Sequence, residues 1–209
     1  METKRFDIIT EADARVLEPG STVRLSARGH ITPLAQDTLR SRRVTVIFDD
    51  ARALDAAPGQ AAVRSVAIGS DHAGFDLKAA LVPWLRARGV AVEDVGVIEK
   101  APADYPDIAA AVARRVARGE ADAGIVIDGA GIGSAIAANK IAGIRAAMCT
   151  DETLARYSRE HNAANVLTLG ATLISSEDAQ RIVARFLESS MREPRYVARI
   201  EKIARLERS

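Results

Sequence analysis

The sequence predicts an α/β protein: a five-stranded parallel, Rossmann-like sheet flanked by helices, preceded by a small separate module. Three observations predict it. From Ser65 onward, strand-like and helix-like segments alternate, a pattern that requires parallel strands joined by right-handed crossovers. Ile125, Val126 and Ile127 form a continuous β-branched run, as expected of a strand covered on both faces. That run enters the glycine-rich turn Gly129-Ala-Gly-Ile-Gly133, which leads into a helix and leaves backbone N–H groups facing an anion or a developing oxyanion.

Composition sets the bounds. A chain of 209 residues can bury a sizeable core, and 48% hydrophobic with 27% charged residues is ordinary for a globular protein. A net charge of +1 gives no reason to expect nucleic acid or an acidic membrane as partner. The single cysteine, Cys149, excludes an internal disulfide framework and fits a reducing compartment. No apolar run approaches the ~20 residues that span a bilayer, and the N-terminus lacks the apolar core of a secretory signal. A cytoplasmic location is expected.

Residues 1–50 read as the small module, 51–64 as an Ala-rich linker with Pro58 and Gly59, and 65–209 as the main domain. In the module, Thr10 caps a helix to Leu17, with Glu11 and Asp13 in its first turn. Thr22-Val-Arg-Leu25 alternates like a strand, and Gly29 and His30 mark a turn. Thr32-Pro33 opens a helix to about Arg40, and Arg43 to Phe48 form a second strand. The linker reads equally as a short helix over Asp50–Ala57.

In the main domain Val66–Gly69 is the first strand. The helix from Phe75 to Arg88 buries Leu77, Leu81, Trp84 and Leu85, with Pro83 expected to kink or break it. Val90–Val95 is the second strand, and Asp104-Tyr-Pro-Asp107 opens the next helix. The glycine-loop strand is third, Arg145–Met148 fourth, and Val166–Leu169 fifth. Thr150 is expected to cap a helix towards His161, Ser175 or Ser176 another to Ser189, and Arg195–Arg208 form the last.

Asp128 ends the central strand, where open α/β sheets place their chemistry. A Gly-x-Gly-x-Gly turn also opens nucleotide sites, but a dinucleotide fingerprint needs Gly-x-Gly-x-x-Gly, usually on the first strand. Further motifs are Ser70-Asp71-His72-Ala-Gly74 and Ser158-Arg-Glu-His161-Asn162, together with Arg195 and Arg199. The arginines' i, i+4 spacing puts both guanidinium groups on one helix face, suited to a phosphate. Together they point to proton transfer on a small phosphorylated molecule.

From Val66 to about Ile203 the chain resembles the ribose-5-phosphate isomerase B family, which includes galactose-6-phosphate isomerase subunits and allose-6-phosphate isomerases. The stretches that carry the likeness are GSDHAGFDLK, DYPD, GAGIGSAIAANKIAGIRAA, SREHNAANVLTLGA and the final Arg-x-x-x-Arg. The resemblance implies a three-layer αβα sandwich, a homodimer or tetramer with sites at the subunit interface, no metal and no cofactor. Aldose and ketose phosphates would interconvert through an enediol. It assigns Asp71 and His161 to opening or positioning the sugar, and His72, Arg195 and Arg199 to the phosphate. Asn162, Tyr105 and Ser134 join the substrate site, and the amides of Gly129, Gly131 and Gly133 stabilise the enediolate.

Asp128 stands where many members carry a cysteine base, and Ser134 where another branch uses a glutamate. As a carboxylate with an unperturbed pKa of ~3.9, Asp128 needs no activation to be ionised at neutral pH. Ala130 replaces the usual Ser or Thr, and Thr172 a common arginine. The expected activity is ribose 5-phosphate to ribulose 5-phosphate, with Asp128 as base; the alternatives are another sugar phosphate, such as a hexose 6-phosphate, or a protein that binds its ligand without turnover. The module's Ile9-Thr-Glu-Ala-Asp and Gly29-His-Ile-Thr-Pro-Leu resemble leader segments of bacterial microcompartment enzymes. That likeness implies a shell or cargo partner for residues 1–50, and a location inside such a compartment; the equal alternative is an added lobe that supports the dimer or covers the site.

Overall fold

The computed structural model of the chain describes residues 4–48, 63–191 and 193–207. The chain folds as two compact units, Met1–Ala57 and Pro58–Ser209. The expected linker up to Ala62, the alternative helix over Asp50–Ala57 and the end of the last helix at Arg208 lie outside the described residues.

The first unit is a three-stranded parallel sheet, β1 (Arg5–Ile9), β2 (Thr22–Ile31) and β3 (Thr45–Phe48), in the order β1-β2-β3. Among the described residues its helices are α1 (Glu11–Val16) and α2 (Pro33–Ser41). Thr10 caps α1 in a reciprocal box: its hydroxyl accepts the Asp13 amide at 3.3 Å and the Asp13 carboxylate accepts the Thr10 amide at 2.9 Å. Ile9, Ala14, Leu17, Val23, Leu25, Ala35 and Leu39 form the core.

Arg5–Ile9, unassigned from sequence, is a strand, in keeping with the polar–apolar alternation of Arg5-Phe6-Asp7-Ile8; one expectation fails. Gly29 and His30 are not a turn but part of β2, which pairs again with β1 at Ile8–His30 after a register shift that follows Phe6–Leu25. The glycine lies in the irregular stretch between those pairs, where a bulge relieves the ladder.

The second unit contains five parallel strands: β4 (Ser65–Ser70), β5 (Ala91–Asp94), β6 (Ala123–Asp128), β7 (Ala146–Met148) and β8 (Val166–Gly170), in the order β5-β4-β6-β8-β7. Six helices alternate with or follow them: α3 (Phe75–Ala87), α4 (Tyr105–Ala117), α5 (Ile132–Ala138), α6 (Glu152–Asn162), α7 (Ser176–Glu188) and α8 (Pro194–Leu206). Alternate residues of each strand face opposite layers. Ile68, Ile125, Ile127, Leu167 and Leu169 pack on Leu77, Leu81 and Leu85 of α3, Ala155 of α6 and Ile182 and Phe186 of α7. Ala67 and Val126 pack on Ala109, Val112 and Ala113 of α4 and Ala138 of α5. The result is the expected sheet between two helical layers.

Helix α3 runs through Pro83 without ending. Pro83 lies on the exposed face, so the carbonyl that loses its amide donor there turns to water. Asp151, not Thr150, caps α6, its carboxylate accepting the Leu154 amide at 2.9 Å. Of the two serines before α7, Ser175 is the cap. No described helix is long and apolar enough to cross a membrane.

Topology locates the crevice. The chain leaves β4 towards β5 on one side and comes back to β6 on the other, so the loops after β4 and β6 diverge at the carboxyl ends of these strands. Such a switch point is where open parallel sheets bind ligands.

Candidate active site

Two loops meet at the switch point. After β4, the Asp71 carboxylate turns back on its own chain and accepts the amides of Ala73 and Gly74 at 2.9 and 3.0 Å, fixing the entry to α3. Asp71 is buried, and its other oxygen accepts no hydrogen bond among the described residues. His72 is exposed, with Nδ1 3.4 Å from the Ala103 amide. Tyr105, the first residue of α4, is 40% exposed and lays its ring on Gly133. A Cβ at that glycine would stand 2.6 Å from the ring carbons, so only glycine admits the tyrosine.

After β6, Asp128 organises the glycine loop. Oδ1 accepts the amides of Ala130, at 2.8 Å, and Gly131; Oδ2 accepts the amide of Ser134, at 3.0 Å, and the Ser134 hydroxyl. A carboxylate has about four acceptor sites, and all are engaged. The carboxylate also sits at the amino end of α5, where its charge is favoured. Gly131 turns the chain into the helix at φ +77°, a conformation that disfavours side chains, and it packs directly against the backbone of Leu169 and Gly170. Thr172 and Thr168 hold the loop from β8: their hydroxyls donate to the carbonyls of Gly129 and Gly131, both at 2.7 Å.

These hydrogen bonds change the expected donor set. The amides of Ala130, Gly131 and Ser134 are directed at Asp128, which leaves those of Gly129, Ile132 and Gly133 without an acceptor among the described residues. Ser134, expected at the substrate, is fully buried with both its donors on Asp128.

His161, Asn162, Arg195 and Arg199 lie elsewhere. Helix α6 starts after β7 and runs antiparallel to the strands for 11 residues, or ~16 Å, before the chain enters β8. His161 and Asn162, in its last turn, are therefore at the amino end of the sheet, opposite Asp71 and Asp128. Helix α7 returns the chain to the same end, where α8 begins. There the His161 ring lies 4.6 Å from that of Tyr157 and 4.7 Å from that of Tyr196, while the guanidinium groups of Arg195 and Arg199 lie over Tyr196 at 4.9 and 5.5 Å. Asn162 is exposed at the helix end.

Arg159 anchors this arm. It is 1% exposed and donates to the carbonyls of Ala164 at 2.7 Å and Ser189 at 3.1 Å, tying the end of α6 to the segment before α8. Burial, with the nearby Arg145 adding to it, pulls its pKa down to about 10, so it stays cationic at neutral pH. Among the described residues, no group of three or more His, Cys, Asp or Glu side chains could hold a metal ion.

Sequence reasoning singles out neither Tyr157 nor Tyr196. The i, i+4 spacing of Tyr157 and His161 is a usable signal; the contact with Tyr196, from a different helix, has none. Thr172 is legible as a departure from the family pattern, but its grip on Gly129 depends on the β6–β8 pairing.

A parallel sheet with a glycine loop and a carboxylate at its switch point, and a separate His-Asn-Arg-Arg arm, make an α/β architecture suited to proton transfer on a phosphorylated molecule. Residues 66–203 match the Ribose/Galactose Isomerase family model, and the chain belongs to that family. It is 43% identical over 145 residues to ribose-5-phosphate isomerase B of Escherichia coli, covering 69% of this chain and 97% of that one. D-erythrulose-4-phosphate isomerase of Pectobacterium atrosepticum is 37% identical over 140 residues, covering 66% of this chain and 92% of that protein. The solved ribose-5-phosphate isomerase B of Clostridium thermocellum superposes with a TM-score of 0.68 at 44% identity, over 69% of this chain and 97% of its own. The protein is thus an aldose–ketose isomerase of sugar phosphates by family, and residues 1–65 precede the matched stretch.

Proposed function

We propose that the protein interconverts ribose 5-phosphate and ribulose 5-phosphate through an enediol, at a site completed by a second copy of the chain. The observation that carries this reading is the opposition of the two half-sites. The Asp71–Tyr105–glycine-loop group and the His161–Asn162–Arg195–Arg199 arm occupy opposite ends of one sheet, and a two-fold dimer brings each arm to its partner's loop. In that site Arg195 and Arg199, with His72, hold the phosphate, and His161 and Asp71 open the sugar ring and position its oxygens. The free amides of Gly129, Ile132 and Gly133 receive the enediolate, a charge that develops as the proton leaves carbon.

Asp128 is the proposed base. Among the described residues Ser134 Oγ is the only side-chain donor on its carboxylate, so rotation of that hydroxyl frees one lone pair of Oδ2 towards C1 and C2 while three amides keep the group in place. Apart from that hydroxyl, the base is held in place by its own loop before reaction.

An equimolar mixture of Asp71→Asn and His161→Ala chains, dissociated and reassembled, tests the sharing. If sites are shared, about a quarter of them are intact in the mixture, and activity returns to that level. Sites complete within one chain give no recovery.

A second reading keeps the class and changes the sugar. Ala130 offers no hydroxyl to the substrate and the Thr172 hydroxyl is spent on Gly129, which removes polar contacts that a particular chain length or configuration would use. A relative that acts on erythrulose 4-phosphate makes a shorter sugar the first alternative; a hexose 6-phosphate is the longer one. For the first unit we propose partner binding, a microcompartment protein included, on the ground of its resemblance to leader segments of such enzymes and of its folding as a compact unit of its own.

A further inference from the structure

A histidine that handles protons is ordinarily oriented through one ring nitrogen, by a carboxylate or a backbone carbonyl. His161 has no such tether: neither nitrogen makes a hydrogen bond among the described residues. It is held through the ring plane instead. Tyr157, one turn earlier on α6, stacks on it at 4.6 Å with an interplanar angle of 18°, and Tyr196 of α8 lies at 4.7 Å and 34°. The stacked Tyr157 and the tilted Tyr196 thus contact the imidazole from two different helices. Guanidinium groups extend the column: Arg156 over Tyr157 at 4.6 Å, and Arg195 and Arg199 over Tyr196 at 4.9 and 5.5 Å.

We propose that Tyr157 and Tyr196 are positioning residues for the ring-opening step. Their rings orient the imidazole, and Tyr196, shared by His161 and the two arginines, sets the spacing between the proton-transfer group and the phosphate grip. A sugar phosphate anchored by Arg195 and Arg199 then presents its ring oxygen to His161. Both nitrogens stay available: one proton is delivered to the ring oxygen as the C1–O bond breaks, and the C1 hydroxyl proton is taken up as the carbonyl forms. The inference rests on the isomerase reading above and adds to it the residues that orient its histidine.

The test separates ring opening from enediol formation. Ribose 5-phosphate reaches the enzyme as a furanose, whereas ribulose 5-phosphate is acyclic, its C5 oxygen being esterified. Tyr157→Leu and Tyr196→Leu remove the stack; Tyr157→Phe and Tyr196→Phe keep it. From the worth of an aromatic pair, each leucine variant should lose roughly threefold to tenfold in kcat/KM on ribose 5-phosphate, and Tyr157→Phe should match wild type, whereas Tyr196→Phe also gives up the hydrogen bond its hydroxyl accepts from Arg195 at 3.1 Å and should bind the phosphate more weakly. Solvent-deuterium exchange at C1 of saturating ribulose 5-phosphate should be unchanged in both Tyr157 variants and should fall less than isomerisation in Tyr196→Leu.

Leucine variants that isomerise ribose 5-phosphate like wild type, or that lose exchange and isomerisation in equal measure, overturn the assignment of the tyrosines and leave the isomerase reading standing. Wild-type protein that exchanges no proton in either sugar overturns both.

Discussion

Replacing Asp128 by Asn separates a loop-organising carboxylate from one that serves only as a base. At a base with free lone pairs the swap is nearly isosteric and leaves stability alone. In this loop both oxygens accept, Oδ1 from Ala130 and Gly131 and Oδ2 from Ser134 N–H and O–H. An amide with its NH2 aimed at Ser134 meets the Ser134 N–H donor against donor, while the Ser134 hydroxyl can rotate to accept from it. At about 1.5–3 kcal/mol for a bond to a charged acceptor, that lost bond costs on the order of 1.5–3 kcal/mol before relaxation. Because two units can unfold separately, a global midpoint is a poor readout. Native-state hydrogen exchange at the amides of Ala130, Gly131 and Ser134 reads the loop directly. Protection at these amides, Ser134 above all, should fall by about tenfold or more in Asp128→Asn, while strand amides of β4 and β8 change less. Unchanged protection at all three would refute the organising role.

Ser134→Ala tests the base: it removes the side-chain donor on Asp128, so activity should hold or rise; a collapse of activity with the loop still protected would place the proton elsewhere. Burial pushes the Cys149 thiol up to about 11. An unfolded thiol ionises near ~8.5, so this group's contribution to stability is present below that pH and lost as pH rises to about 11. Urea unfolding of the second unit should weaken over that window in wild type and less in Cys149→Ala. Burial pushes the Asp122 carboxyl up, but hydrogen bonds from the Arg64 and Ser65 amides and the Ser65 hydroxyl outweigh it and leave the pKa lowered. Its contribution is present above the ordinary carboxylate range and lost as pH falls through the lowered value. Asp122→Ala should free the start of β4, seen as faster exchange at Ser65, by roughly 1 kcal/mol; exchange unaltered at neutral pH would count against it.

The central strands β4, β6 and β8 are legible because they are buried on both faces and therefore read as largely apolar runs, as in Ile125–Ile127. Capping is legible at Thr10, where cap and reciprocal carboxylate sit three residues apart. It misleads at Thr150, because the adjacent Asp151 competes for the same role. Arg5–Ile9 alternates polar and apolar over Arg5–Ile8 but is short and lies at the edge of its sheet, where the signal is weak. In the site, residue types and spacing identify the loop and the arm but not their separation. That follows from the direction of α6, which carries His161 the length of the sheet away from Asp128. The saturation of Asp128 is equally out of reach, for it depends on where three amides point after Gly131 turns the chain.

The most direct measurement is NMR of ribose 5-phosphate in deuterated solvent with the wild-type protein, following the C2 proton and the appearance of ketose. Loss of the C2 proton together with ribulose 5-phosphate formation is the predicted result. A C2 signal that persists while the sugar's phosphorus resonance shifts on binding would contradict the proposed reaction, leaving another sugar phosphate or binding without turnover.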